Sequence, residues 1–409
     1  MKNTDLLDPE LMGNEDSMYG LFDYLRENDP VSYVEDPAYL PFWSLSKYED
    51  IKFVGKNNDQ FLSAPRAMLQ PSAVEDMFEE KLGTRNGLET LIHMDSPKHL
   101  KLRRVTRDWF LPRNINRLDA EIQQLAKEYV DKMQEMGDEC DFVKDVALHF
   151  PLRVIMKILG VPKEDEAFML KLTQELFGSN DPELSRGADF ETGLSVITDF
   201  FEYFGKIIED RKANPTDDLA SVIANADVDG KPMDPFDQIS YFIIAASAGH
   251  DTTSATISSG MKALIEHPEQ LQKWAGNPEL DTNATKELLR WTSPVRHMVR
   301  TATADIELRG KEIKAGDSIA IWFPAANRDQ EIIHNANTLD IERDPKLNLH
   351  FGYGAHMCLG QHLATLEVSR FFRELLPRLN EVEFNGDVEG IQAIFVGGLK
   401  SMPLRYKID

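Results

Sequence analysis

Apolar residues recur at three- and four-residue spacing through LDAEIQQLAKEYVDKMQEM (118–136) and SVITDFFEYFGKIIEDRKA (195–213), which predicts two amphipathic helices. Between them FGSNDPELSRGADF (177–190) breaks the period, so a breakable loop over a cavity, usable as a lid, is expected there. Most of the chain from Pro97 to Arg211 reads as helical. VSYVED (31–36) and PFWSLS (41–46) read as strands around a turn at Asp36-Pro37, and KYEDIKFVGK (47–56) as a helix. Residues 64–92 hold prolines and glycines but no long period, and an irregular, mobile stretch is expected.

Asp234 to His267 predicts one long helix whose middle, SAGHDTTSATISSG (247–260), is made of poor helix formers. A helix follows at KELLRW (286–291). IELRGKEIKAGDSIAIWF (306–323) alternates around turns at Arg309-Gly310 and Ala315-Gly316 and predicts a hairpin. HFGYGAHMCLG (350–360) then runs straight into a helix over 361–379. The pattern implies a mainly α protein with a minor β portion. Without repeats or a low-complexity linker, it implies one domain over 1–409.

Composition narrows the function. The 409 residues carry 45 Lys+Arg against 69 Asp+Glu, a net charge of −24. That balance argues against nucleic acid and against anionic membrane surfaces as partners. No run approaches ~18 apolar residues, and the N-terminus is acidic where a signal peptide would be basic. With only Cys140 and Cys358, there is no disulfide framework, so a reducing, cytoplasmic location is expected.

Cys358 lies in the loop Phe351-Gly352-Tyr353-Gly354-Ala355-His356-Met357-Cys358-Leu359-Gly360, just before a predicted helix. Glycines let the backbone wrap closely, and the helix start aims N–H groups and positive potential at the sulfur, favouring a thiolate. A zinc site of His350, His356, Cys358 and His362 is the rival from another class, but its spacing is wrong for tetrahedral ligation and no CxxC is present. A non-catalytic acidic helical binding protein would leave this loop without a role.

The loop resembles the haem-ligand loop of the cytochromes P450, whose aromatic residue, glycines, His and Cys fall at these spacings. The resemblance extends over nearly the whole chain and implies that family's triangular, helix-rich prism. Haem b (iron protoporphyrin IX) would lie between the long central helix and the Cys-loop helix. Cys358 would be the axial ligand to iron, with Phe351 and Gly352 in the cofactor loop. Glu287 and Arg290, one helical turn apart, match the family's buried pair, and Arg343 the residue that completes it. Ala248-Gly249-His250-Asp251-Thr252 resembles the oxygen-activating segment. Gly249 would let O2 and haem approach the helix, Thr252 would bond inside it and open it to water, and Asp251 would relay protons. His250 occupies a variable position and receives no chemistry. His99, Arg103, Arg300 and His356 match the propionate contacts and would supply two cationic groups to each propionate. Ala245, Ala248, Thr252, Val295, Met298, Ile394 and Phe395 fall at substrate-contacting positions.

RKANPTDDLAS, FPAANRD and GAHMCLGQHLA look like soluble bacterial members. AGHDTTS, RWTSPV, HMCLGQHLA and IFVGG resemble the α-terpineol-hydroxylating subgroup. The resemblance therefore implies hydroxylation of a small apolar substrate, a monoterpenoid or an alkyl aromatic, with O2. Steroid or alkyl-chain substrates are the alternative, and loops 64–92 and 178–192 would set the cavity. Retention of both Asp251 and Thr252 argues against a peroxide-driven peroxygenase. With neither an N-terminal anchor nor a fused reductase, electrons would come from an iron–sulfur ferredoxin and its NAD(P)H-dependent reductase. That acidic donor would dock on Arg103, Arg104, Arg107 and Arg113. A monomer is expected.

Overall fold

The computed structural model describes residues 1–177, 181, 183–187 and 190–409. The elements that position the site are, in chain order, α1 (Glu15–Asn28), β1 (Val31–Asp36), β2 (Tyr39–Leu45), α2 (Tyr48–Lys56), β3 (Phe61–Leu62), α3 (Ser72–Leu82), α4 (Lys98–Arg107), α5 (Asp119–Glu135), β4 (Glu139–Asp141), α6 (His149–Ile158), α7 (Glu166–Phe177), α8 (Phe190–Ala213), α9 (Pro235–Glu266), α10 (Asp281–Thr292), β5 (His297–Ala302), β6 (Ile306–Leu308), β7 (Lys311–Ile313), β8 (Ser318–Trp322), α11 (Gln361–Leu375), β9 (Leu379–Phe384) and β10 (Pro403–Ile408). Among the described residues, no helix is long and apolar enough to cross a membrane.

α9 is the axis. Its N-terminus is fixed by Pro235 in the first turn and by Asp234, whose side chain accepts from the Phe236 N–H. In its Ser/Thr-rich middle the hydroxyls are satisfied by carbonyls one turn back, and burial of this stretch against its neighbours holds it helical. Ser247 reaches Ile243 O at 2.7 Å and Ser258 reaches Ser254 O at 2.9 Å. Phe242, Ala246, Ile257 and Met261 are buried in the main apolar cluster with Ile155 and Met156 of α6 and Val368 and Phe372 of α11. Burying each such large side chain contributes about 1.5–3 kcal/mol.

The larger sheet has the order β1-β2-β8-β5-β3, antiparallel except for the β2–β8 pair. A smaller one has the order β9-β10-β4. β5, between β8 and the edge strand β3, carries His297, Met298 and Arg300.

Three expectations change. Residues 64–92 contain α3, an 11-residue helix whose one buried side chain is Glu75. The segment 306–323 is not one hairpin: β6 and β7 pair around Arg309-Gly310, but β8 leaves them to pair with β2 and β5. The last helix stops at Leu375, because Pro377 supports only a short 3₁₀ turn before β9. Of the lid expected at 177–190, residues 178–180, 182, 188 and 189 lie outside the described residues.

Candidate active site

The loop before α11 closes on itself. The Gly352 N–H donates to Leu349 O, the Cys358 N–H to Phe351 O and the Met357 N–H to Gly354 O, at 2.8, 2.8 and 3.2 Å. Gly354 has φ +78°, and a Cβ there would meet the Gly55 carbonyl at 2.0 Å, so only glycine lets the loop lie against α2. The Gly360 N–H, just before α11, faces the Cys358 sulfur. Burial is the largest influence and raises the Cys358 thiol, while this N–H and the Arg103 guanidinium pull part of the way back. At Cys140, burial pushes the thiol up to about 12.

Behind the loop, Glu287 and Arg290 are buried and paired. Arg290 Nη2 donates to Glu287 Oε1 at 2.7 Å and Nε to Oε2 at 2.8 Å. Arg343 Nε and the Asp340 N–H reach Oε1 at 3.2 and 3.0 Å. Arg290 Nη1 donates to the Asn327 and Ala336 carbonyls. Asn327 then accepts the Leu349 N–H at 2.7 Å and donates to Ser293 Oγ. This chain of bonds ties the Glu–Arg pair to the residue two before Phe351. Asn327, in FPAANRD, is a link that the sequence reading missed; its type and spacing carry no signal without the pairing.

His99, Arg103, Arg300 and His356 converge in front of the loop. The His99 and His356 rings stack 4.1 Å apart, and His356 Nε2 lies 3.2 Å from Ser63 Oγ. Arg103 donates to the Met357 carbonyl, and Arg300 is buried beside them. His99 Nε2 is buried with no partner among the described residues. Burial, with help from neighbouring charges that include both guanidiniums, pushes His99 down to about 4 and His356 well below its ordinary range. Carboxylates placed against these rings would act in the opposite direction. A buried ring nitrogen, two guanidiniums and a sulfur facing a helix-start N–H suit a group with carboxylates at its edge and a metal at its centre. Haem is such a group.

Across from this cluster, α9 presents Ala248, Asp251 and Thr252. Thr252 Oγ1 donates to Ala248 O at 2.8 Å, and the helix runs unbroken, so the expected local opening is not observed. Asp251 Oδ1 lies 3.1 Å from His250 Nδ1, while Oδ2 is buried and has no partner among the described residues. Gly249 serves another purpose than expected. A Cβ there would sit 3.0 Å from Ile155, so the missing side chain allows α6 to approach α9.

Among the expected pocket residues, Ala245, Val295, Met298 and Phe395 are half-buried and Ala248 is exposed. Ile394 departs from expectation. It is 2% exposed and packs in the core with Phe42, Val299 and Trp322, because the loop turns its side chain under the sheet. The wall is held by His297, which the sequence reading passed over. His297 Nε2 accepts the Leu69 N–H at 3.0 Å, and Nδ1 donates to Ile394 O at 2.9 Å. Its ring packs edge-on to Phe395. Burial pushes its pKa down to about 4, keeping the neutral form that this pairing needs.

The zinc alternative loses support: among the described residues, no three His, Cys, Asp or Glu side chains are grouped to hold a metal ion. His350 packs against Phe351 and His356 against His99 instead.

Comparison with known proteins agrees with this geometry. The cytochrome P450 family model matches residues 279–393. Cytochrome P450-terp of a Pseudomonas species is 38% identical, over 97% of this chain and 95% of that protein. The methyl-branched lipid omega-hydroxylase of Mycobacterium tuberculosis is 32% identical over 96% and 92%. The crystal structure of CYP108D1 from Novosphingobium aromaticivorans superposes with a TM-score of 0.91 at 40% identity, covering 99% of this chain and 97% of that one. The Mycobacterium marinum cytochrome P450 CYP268A2 in complex with pseudoionone gives 0.89 at 30% identity, covering 97% and 96%.

Proposed function

The chain belongs to the cytochrome P450 family and is a monooxygenase with haem b as its cofactor, and on that premise we propose that Cys358 ligates the iron and that the substrate is a small apolar molecule. The observation that carries the proposal is the place of the Cys358 sulfur, facing the Gly360 N–H beside a pocket of two guanidiniums and two stacked imidazoles. Bound there, the haem iron supplies the O2 chemistry.

This chain's residues do the rest. Gly360 N–H tempers the sulfur's donor strength. His99, Arg103, Arg300 and His356 hold the propionates. Glu287, Arg290 and Arg343 fix the loop, with Asn327 as the connection. Asp251 takes protons inward, and the Thr252 hydroxyl, now committed to Ala248 O, turns to pass them on. Ala245, Ala248, Val295, Met298 and Phe395 exclude water and select an apolar guest. Residues 1–409 act as one haem domain.

A monoterpenoid or alkyl aromatic is the favoured guest class. Support comes from the 38% identity to cytochrome P450-terp and the structural likeness to the pseudoionone complex. Steroids and methyl-branched lipids are the second reading, supported by the steroid C26-monooxygenase of Mycolicibacterium smegmatis, 30% identical over 93% of this chain. Binding of each class, scored by the high-spin shift of the Soret band, tests the reading. A complete shift with terpenoids or alkylbenzenes supports it; a shift only with steroids or fatty acids overturns it.

The electron donor is an iron–sulfur ferredoxin served by an NAD(P)H-dependent reductase, and the protein works as a cytoplasmic monomer. Arg104, Arg107 and Arg113 are exposed on and just beyond α4, the helix whose Arg103 touches the Cys loop. They form the local basic patch that an acidic donor needs on a chain of net charge −24.

A further inference from the structure

Three hydrogen-bonding atoms surround the His250 imidazole, and each of them is an acceptor. Nε2 lies 2.8 Å from the Leu148 carbonyl oxygen; since a carbonyl only accepts, Nε2 carries a hydrogen. Nδ1 faces Asp251 Oδ1 at 3.1 Å and Thr173 Oγ1 at 3.4 Å. The Thr173 hydroxyl already donates to Leu170 O at 3.0 Å, so its oxygen turns lone pairs to the ring. A neutral imidazole has one N–H, and Leu148 takes it. The contact to Asp251 therefore needs a second proton.

We infer that His250 and Asp251 form a buried imidazolium–carboxylate pair and that His250, through Nδ1, is the positioning residue that keeps Asp251 supplied with a proton. The inference rests on Asp251 acting as the proton relay.

His250 is wholly buried, and a buried charge persists only where a partner and hydrogen bonds satisfy it. Leu148 O, Asp251 Oδ1 and Thr173 Oγ1 do so here. His149, at the start of α6, is a further titratable group near the ring; burial lowers its proton affinity most, and His250 lowers it too. The transfer is balanced: the Nδ1–H bond breaks, its electron pair stays on Nδ1, and an O–H bond forms at Asp251 Oδ1. The neutral ring that remains is still held by Leu148 through Nε2. The carboxyl group is thereby loaded while Oδ2 remains unclaimed by any protein donor. Thr173 sits on α7, so the same ring also joins that helix to α9.

Nitrogen-15 NMR of histidine-labelled holoenzyme in its diamagnetic ferrous carbon monoxide form reads the ring directly. Both His250 ring nitrogens are expected to carry a hydrogen. Asp251→Asn should return one pyridine-type Nδ1. A pyridine-type Nδ1 in the unaltered protein overturns the inference. As a second readout, His250→Phe should lower product formed per NAD(P)H consumed roughly tenfold, less than the ~10²-fold loss expected on removing the relay acid itself. The solvent deuterium isotope effect on turnover should rise with it, which a packing defect alone would not do; an unchanged isotope effect counts against the inference. If Asp251→Asn leaves turnover intact, the relay reading has failed. If it slows turnover while the ring of the unaltered protein is neutral, only this inference has.

Discussion

Behind Cys358, both oxygens of Glu287 are occupied, by Arg290, Arg343 and the Asp340 N–H; in α9, Asp251 keeps one buried oxygen with no partner among the described residues. Both regions are polar, and both flank the proposed haem. The first is saturated and holds one arrangement, as a frame for a metal ligand should. The second is one donor short, and a group that must pass protons cannot have all its lone pairs committed. The contrast teaches that hydrogen-bond completeness, rather than polarity or burial, separates the part that holds from the part that reacts.

Breaking the frame should cost most. Glu287→Ala leaves the Arg290 guanidinium buried and unpaired, and the fold should lose about 3–5 kcal/mol, read by denaturant unfolding, with haem no longer retained. Next comes His297, which ties Leu69 to Ile394 in the pocket wall. His297 has its pKa held at about 4 against the model-peptide value of 6.5, so the unfolded chain binds more protons between those values. Stability then rises with pH across that window and is lost as acid is added from 6.5 towards 4, by up to about 3 kcal/mol from this residue. His297→Asn should flatten the slope of midpoint against pH by that share, other buried histidines keeping theirs. Asp251→Asn should then do the reverse of Glu287→Ala: turnover falls by ~10²-fold while the unfolding midpoint hardly moves. If the midpoint falls as far as in Glu287→Ala, the comparison is broken. The smallest effect is at the surface. Charge reversal of Arg104 and Arg107 should slow reduction by ferredoxin several-fold at low salt, and added salt should erase the difference, as stopped-flow reduction would show.

The features visible in the sequence are those that local chemistry writes into consecutive residues. The long helix expected over 234–267 is Pro235–Glu266, and Cys358, Glu287 and Arg290 stand where their motifs imply. Features built across the chain were hidden. α3 is anchored through Glu75 to Arg66 and Arg85 by ion pairs, so apolar periodicity could not show it. Ile394 has the right composition for a pocket wall, but backbone direction sent it to the core. Gly249 was read for what it would admit, whereas its absent Cβ answers to Ile155, ninety-four positions earlier. His250 looks like a variable filler until Leu148 and Thr173, from two other helical segments, are placed around it.

The central claim is that the Cys358 sulfur is the iron ligand, and the carbon monoxide difference spectrum of the reduced holoenzyme tests it most directly. The unaltered protein should give the long-wavelength Soret band of thiolate-ligated haem, and Cys358→His should bind haem without it. A long-wavelength band that persists in Cys358→His would contradict the account.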